Sequence, residues 1–305
     1  MKLTKTGGTA GANYKAPAAP RKPKADTGSV SSGEKSNGFA LPEEPSQPVT
    51  DPGQCTILIY GEKKIGKTSL ASRFPDAVFI MFEPGGKGLR IYRIPEDDAG
   101  CIASWREFKG YLKTLLASKR FRTVIIDTVD FAYDRCLEHV CQQKGVEHPN
   151  EGNFGDVWKA IEAEFSKTFN SIIASGRGLI FISHAEDREF QTRAGSKYNK
   201  LVPSMQKAPR KFTAGIADII GYYGYYGEDR FLTLHGSEDL EAGHRLRDRF
   251  RTMKGERIHS IPMGKDEDEA YANFLTAWNN KQRDTGEPED YTGLSEMPVK
   301  RQRGR

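Results

Sequence analysis

A chain of 305 residues with 37% hydrophobic content and a formal charge of +5 has room for one or two domains, and it is poor in apolar residues for a wholly globular chain. It has no apolar run of membrane-spanning length and no signal-peptide core near its start; this argues against a membrane protein and predicts a cytoplasmic one without a membrane partner. With +3 on residues 1–50 and +1 on 281–305, residues 51–280 hold only +1, so a nucleic-acid partner has to be argued from local patches.

The ends differ from the middle. Residues 1–50, rich in Gly, Ala, Pro, Ser and Lys, predict a disordered N-terminal tail. Residues 281–305, ending Lys300-Arg301-Gln302-Arg303-Gly304-Arg305, predict a second, basic one. The folded domain is expected over 51–280. Cys55, Cys101, Cys136 and Cys141 form no C-x-x-C pair, and Cys136 and Cys141 with His139 lack a full zinc set. Free thiols in a reducing compartment are expected.

The domain opens with Cys55-Thr56-Ile57-Leu58-Ile59-Tyr60, a short apolar strand. Gly61-Glu62-Lys63-Lys64-Ile65-Gly66-Lys67-Thr68 follows, with the G-x-x-x-x-G-K-T spacing of a phosphate-binding loop, and Ser69 onward opens a helix. Strand, loop and helix are the context that motif requires. The glycines let the backbone turn its N–H groups inward onto phosphates. Lys67 reaches the β- and γ-phosphates, and the Thr68 hydroxyl ligates Mg²⁺. Gly61 through Ser69 are therefore the predicted ATP-binding residues.

Ala77 to Phe82 reads as a second buried strand, ending at Glu83 and followed by a loop. Ser104 and Glu107 have capping-box spacing before a helix to about Ser118. Thr123 to Asp127 is an apolar strand ending in an acid, and 130–143 a helix. Val157, Ile161, Phe165, Phe169 and Ile172 mark an amphipathic helix over about 156–175. Leu179 to Ser183 is another buried strand, ending at His184. Non-alternating strands interleaved with helices predict an α/β fold: a mainly parallel sheet with helices on both faces. Ile216 to Tyr226 and Arg230 to His235 predict an antiparallel extension, with a third strand near Arg247 to Met253. A helix over 266–280 closes the domain.

Strand ends carry the chemistry. Asp127 is placed to hold Mg²⁺, and Glu83 to activate an attacking water beside the γ-phosphate. His184 faces the γ-phosphate from the fourth strand. Residues 185–211 read as a loop that carries +4, with Phe190 and Tyr198 among its cations. Arg188, Arg193, Lys197 and Lys200 there suit single-stranded DNA, with cations for phosphates and rings for bases. A second basic stretch offers Arg249, Arg251 or Lys254 to a neighbour's γ-phosphate if the protein assembles.

These parts in this order resemble the RecA-type P-loop NTPase core. More closely, Tyr60-Gly61 through Ala71, Phe74-Pro75, Ile182-Ser183-His184-Ala185 and Ala217-Asp218 resemble the phage-encoded nucleotide-binding proteins of the AAA/RecA-like group, which includes RecA-like single-strand annealing proteins. The resemblance implies ATP and Mg²⁺ as cofactors, with Glu83 as catalytic glutamate alongside Lys67 and His184. It also implies a metal site at Thr68 and Asp127, and a homo-oligomer, ring or filament. The expected function is ATP hydrolysis stimulated by single-stranded DNA, assisting annealing or recombination in phage DNA metabolism, with a phage single-strand-binding protein as a further partner and the host cytoplasm as location. Alternatives are a P-loop phosphotransferase and an ATP-gated loader or packaging adaptor with little turnover. Met81-Phe82 departs from the acidic or small residue usual before the glutamate. Residues 1–50 lack a globular N-terminal domain like that of bacterial RecA, so strand exchange is not carried over.

Overall fold

The strand preceding the phosphate-loop motif, β1 (Thr56–Gly61), is buried along its whole length and lies in the middle of a ten-stranded sheet. This computed structural model describes residues 42–96, 100–193 and 195–286. The chain divides into units Met1–Gln47 and Pro48–Arg305. Residues 42–47 of the first are exposed and form no helix or strand. The tails predicted over 1–50 and 281–305 lie largely outside the described residues.

In the second unit β1 leads through the loop into α1 (Lys67–Ala71) and β2 (Ala77–Met81). A short strand, β3 (Tyr92–Ile94), follows in what reads as loop. Then come α2 (Trp105–Ala117), β4 (Thr123–Asp127), α3 (Val129–Lys144) and α4 (Asp156–Ala174). Ser104 caps α2 by accepting from the Glu107 N–H at 3.2 Å, while the Glu107 carboxylate accepts from Ala103 N–H at 2.9 Å.

β5 (Gly178–Gln191) is followed by β6 (Lys197–Pro203), α5 (Lys207–Ile216), β7 (Ile219–Tyr226) and β8 (Asp229–Thr233). The short β9 (Gly243–His244), β10 (Ser260–Pro262) and α6 (Glu267–Trp278) complete the unit. The order across the sheet is β10-β8-β7-β1-β5-β4-β2-β3. Neighbours from β3 through β7 run parallel, and β8, β9 and β10 add the antiparallel extension.

Alternate residues of the buried strands feed two cores. Leu58, Val124 and Phe181 face α2, α3 and α4, while Ile57, Ile125 and Ile180 face α1 and α6. Helices thus cover both faces, as the non-alternating apolar strands require. The first core is dense in aromatic rings: Trp105 lies 4.9 Å from Phe108, and Phe165 4.7 Å from Phe169, between ring centres.

Three expectations are corrected. The stretch 185–211 is not one loop. β5 runs on past His184 and pairs with β6 in a hairpin, Arg188 opposite Lys200, and α5 begins at Lys207. Its residues are mostly polar, so no apolar period marked it, and the backbone ladder holds it. The strand expected near 247–253 makes only the single bridge Arg251–Arg257, and Ser260–Pro262 takes the place beside β8. Residues 281–286 pack onto the domain: the Gln282 and Thr285 carbonyls accept from Met253 N–H at 2.9 Å and His259 N–H at 2.8 Å. All four cysteines are free.

Candidate nucleotide site

The site gathers at the C-terminal ends of β1, β2 and β4 and at the point on β5, Ser183–His184, where its parallel pairing with β1 stops and the sheet opens a crevice. Two glycines shape the loop. A Cβ on Gly61 would lie 1.9 Å from the Tyr223 carbonyl oxygen, because β7 runs directly alongside. Gly66 has φ of 111°, which other residues rarely adopt. Lys67, buried, donates to the Gly61 carbonyl at 2.9 Å and the Glu62 carbonyl at 2.6 Å. Burial pulls its pKa down, and Asp127 and Glu83 oppose that pull. Glu62, Lys63 and Lys64 are exposed on the loop, Ile65 is buried beneath it, and Ser69 is half-buried in α1.

The Thr68 hydroxyl donates to Asp127 Oδ2 at 2.8 Å. Burial pushes the Asp127 carboxyl up to about 6 from the ordinary 3.8, with the Thr68 hydrogen bond working against the rise and Glu83 adding to it. A hydroxyl and a carboxylate side by side are hard oxygen donors of the kind Mg²⁺ takes with phosphate oxygens and water, so the residues fit that ion. Among the described residues no cluster of three His, Cys, Asp or Glu forms an all-protein metal site.

Glu83 follows β2, whose end is tied to β4 by Phe82 N–H donating to the Asp127 carbonyl at 2.7 Å. His184 Nε2 lies 3.3 Å from Glu83 Oε2, and His184 Nδ1 is buried with no hydrogen-bond partner among the described residues. The residues singled out from sequence at four strand ends therefore converge on one crevice.

Two neighbours escaped the sequence reading. Asp130, in the first turn of α3, accepts from the Ser183 hydroxyl at 3.1 Å and from the Ser204 hydroxyl. It joins β5 to the foot of the hairpin, and burial raises its pKa. Its spacing three residues after Asp127 was the available signal. Arg230 on β8 donates to the Gly264 carbonyl at 2.7 Å and approaches the Ile65 carbonyl at 3.4 Å. Nothing local in the sequence pointed to it.

The basic candidates separate. Arg188 pairs with Glu186 at 2.7 Å and donates to the Met205 carbonyl at 2.8 Å, so it braces the hairpin. Lys197 pairs with Glu189 at 2.8 Å, and Lys200 donates to the Ser237 carbonyl at 3.2 Å. Arg193 is exposed at the turn. Phe190 and Tyr198 stack on each other, ring centres 5.8 Å apart. Arg249 donates to the Val49 carbonyl at 3.0 Å and covers the Trp278 ring, and Arg251 donates to the Gly255 carbonyl at 3.0 Å. Lys254 is exposed and forms no ion pair among the described residues.

A mainly parallel sheet with a phosphate loop after its central strand and an acid at the end of β4 defines the P-loop nucleotide-binding class. Within it, the model for the family described as AAA domain matches residues 54–246, and the chain belongs to that family. The SPbeta prophage-derived uncharacterized protein YorG of Bacillus subtilis (strain 168) is 31% identical over 180 residues, covering 57% of this chain and 51% of YorG. The chain thus spans about half the length of that curated relative. Among solved structures, the KaiC-like protein PH0186 from Pyrococcus horikoshii OT3 is similar at 13% identity and a TM-score of 0.39, over 70% of this chain and 86% of that one. No helix among the described residues is long and apolar enough to cross a membrane.

Proposed function

We propose that this chain is a Mg²⁺-dependent ATPase that binds single-stranded DNA and assists annealing or recombination in phage DNA metabolism. The observation that carries the reading is the continuity of β5: Ser183 and His184 border the nucleotide crevice, and the same strand runs on without a break to Gln191 in the basic hairpin. A change at the crevice is then passed to the hairpin through one rigid strand. A prophage-derived relative supports the phage setting.

In this reading Lys67 exchanges its two carbonyl partners for the β- and γ-phosphates, held by the N–H groups of residues 61–69. Thr68 and Asp127 hold Mg²⁺, which when bound neutralises charge on the phosphate oxygens. Glu83 accepts the proton of the attacking water, and His184 orients Glu83 through their 3.3 Å contact. Arg193 and Lys200 offer their charge to DNA. Subunits assemble as a ring or filament, with Lys254 the residue best exposed to act on a neighbour's nucleotide.

The test is ATP hydrolysis by the purified chain with and without single-stranded DNA, beside Glu83→Gln. Stimulation by DNA that disappears in the variant supports the reading. Turnover indifferent to DNA removes the DNA part of it, and full turnover in Glu83→Gln removes Glu83 as base.

A further inference from the structure

A second basic feature lies away from the nucleotide crevice. Lys200 and parts of the chain between Leu234 and Ile258 line a cleft of about 630 Å³. Its charged side chains are Lys200, Arg245, Arg247, Arg249, Arg251 and Arg257 against one carboxylate, Glu241. Most of the cations are oriented by backbone carbonyls, which align a guanidinium or ammonium without cancelling its charge. Arg245 donates to the Gly215 carbonyl at 2.7 Å, Arg251 to the Gly255 carbonyl at 3.0 Å, Arg249 to the Val49 carbonyl at 3.0 Å and Lys200 to the Ser237 carbonyl at 3.2 Å. Among the described residues Arg245 alone of the cleft's cations within 245–257 forms an ion pair, with Asp218 at 3.9 Å, and Arg247 and Arg257 are exposed.

Arg251 and Arg257 also sit directly opposite each other across a β-bridge. Like charges in that position destabilise a strand pair, and an anion between them reverses the sign. Burial lowers the pKa of His244 beside them, a backbone hydrogen bond at Leu246 opposes that, and Arg257 and Arg251 add to the lowering.

The cleft is joined to the hairpin. Lys200 belongs to both, and Leu201 on β6 bridges Leu240 on the cleft wall. The Tyr60 hydroxyl, one residue before the phosphate loop, donates to the Glu241 carbonyl at 2.7 Å and approaches the Leu201 carbonyl at 3.1 Å. A row of uncancelled cations continuous with a basic hairpin matches a chain of evenly spaced phosphates better than a single small anion.

We propose that this cleft is a backbone-binding site for single-stranded DNA, carrying the strand on from the β5–β6 hairpin across Arg247, Arg251 and Arg257. The proposal rests on the reading that the protein binds single-stranded DNA. The cleft holds phosphates and reads no bases, so binding there is independent of sequence and falls with salt.

The test uses the full-length chain and a fluorescent oligo(dT), titrated at several salt concentrations. The double variant Arg247→Gln/Arg257→Gln should bind about tenfold more weakly, and its log K against log [salt] should lose about 1.4 from its slope, two phosphate contacts' worth. Arg247→Lys/Arg257→Lys should restore the slope. Thermal melting checks that each variant is folded. If the wild-type chain binds and the Gln variant binds equally with an unchanged slope, the cleft is not on the DNA path and the hairpin reading stands. If the wild-type chain does not bind oligo(dT) even at low salt, the DNA reading falls and the cleft falls with it. A measurement needing no variant is photocross-linking of a 4-thiothymidine oligonucleotide to the wild-type chain. Adducts within 234–258 support the cleft, and adducts confined to other peptides overturn it.

Discussion

His184 Nε2 and Glu83 Oε2 stand 3.3 Å apart, the first partway along β5 and the second just past the end of β2, beside the phosphate loop. A carboxylate held in this way is aimed rather than free. Glu83→Gln keeps the shape and removes the base, so we expect single-turnover hydrolysis to fall about 10²–10⁴-fold while fluorescent-ATP binding persists. His184→Ala releases the carboxylate without removing it, and its loss should be smaller. Equal losses in the two variants would make His184 more than a positioning residue.

Lys67 is buried and donates, among the described residues, to two backbone carbonyls and to no carboxylate. Lys67→Ala should therefore cost little stability in the absence of nucleotide, because it also removes a buried charge. What it should lose is stabilisation by ligand. Mg²⁺·ATP at one hundred times Kd should add about 2.7 kcal/mol to the wild-type chain, and thermal melting should show no such gain in the variant. Gly61→Ala should do the reverse. Its methyl group would meet the Tyr223 carbonyl oxygen at 1.9 Å, force β7 away from β1 and lower the midpoint before any nucleotide is added.

Asp127 sets a pH dependence. Its carboxyl sits at about 6 in the folded chain against the ordinary 3.8. The folded state holds the proton more tightly, so this group's contribution is fully present below 3.8 and is lost as pH rises through about 6. The gap is worth about 3 kcal/mol. Nucleotide-free wild-type protein should lose stability between pH 4 and 6 relative to Asp127→Asn, which has no such group. Mg²⁺ needs the carboxylate ionised, so Mg²⁺·ATP binding should weaken below about pH 6 and release a proton there. Calorimetry in buffers of different ionisation enthalpy reads that proton directly.

The buried parallel strands and the helices over them were legible because their apolar runs and periods are local. β1, β4 and the first half of β5 are apolar almost throughout, and Phe165 and Phe169 mark the inner face of α4 one turn apart. The strand-end residues Glu83, Asp127 and His184 could be read as candidates because strand ends in a parallel sheet point one way. The hairpin from Glu186 to Pro203 could not be read, since its strand residues from Glu186 to Lys200 alternate between half-buried and exposed with mostly polar side chains, and only Val202 and Pro203 at its foot are buried. The roles of Asp130 and Arg230 were hidden for a different reason. Asp130 meets Ser204 from 74 residues away and Arg230 meets Ile65 from 165 away, and no local pattern encodes such pairings. Likewise Arg188 reads as a free cation until the fold brings the Met205 carbonyl to it.

Asp130 supplies the last prediction, because it joins the strand that reaches the crevice to the foot of the hairpin. Its Oδ1 accepts from the hydroxyls of Ser183 and Ser204, while Oδ2 is buried with no hydrogen-bond partner among the described residues. Asp130→Ala takes the acceptor from the half-buried Ser204 hydroxyl and leaves the buried Ser183 hydroxyl only the His184 carbonyl at 3.2 Å, and should cost about 1 kcal/mol by thermal or denaturant unfolding. Asp130→Asn keeps an acceptor oxygen for both serines and removes a buried charge, so its stability should match or exceed that of the wild-type chain. If the serine–aspartate bridge transmits the nucleotide state to the hairpin, the Asn variant keeps DNA-stimulated hydrolysis, whereas the Ala variant keeps basal hydrolysis and loses the stimulation. Stimulation intact in a folded Ala variant would show that β5 alone carries the signal.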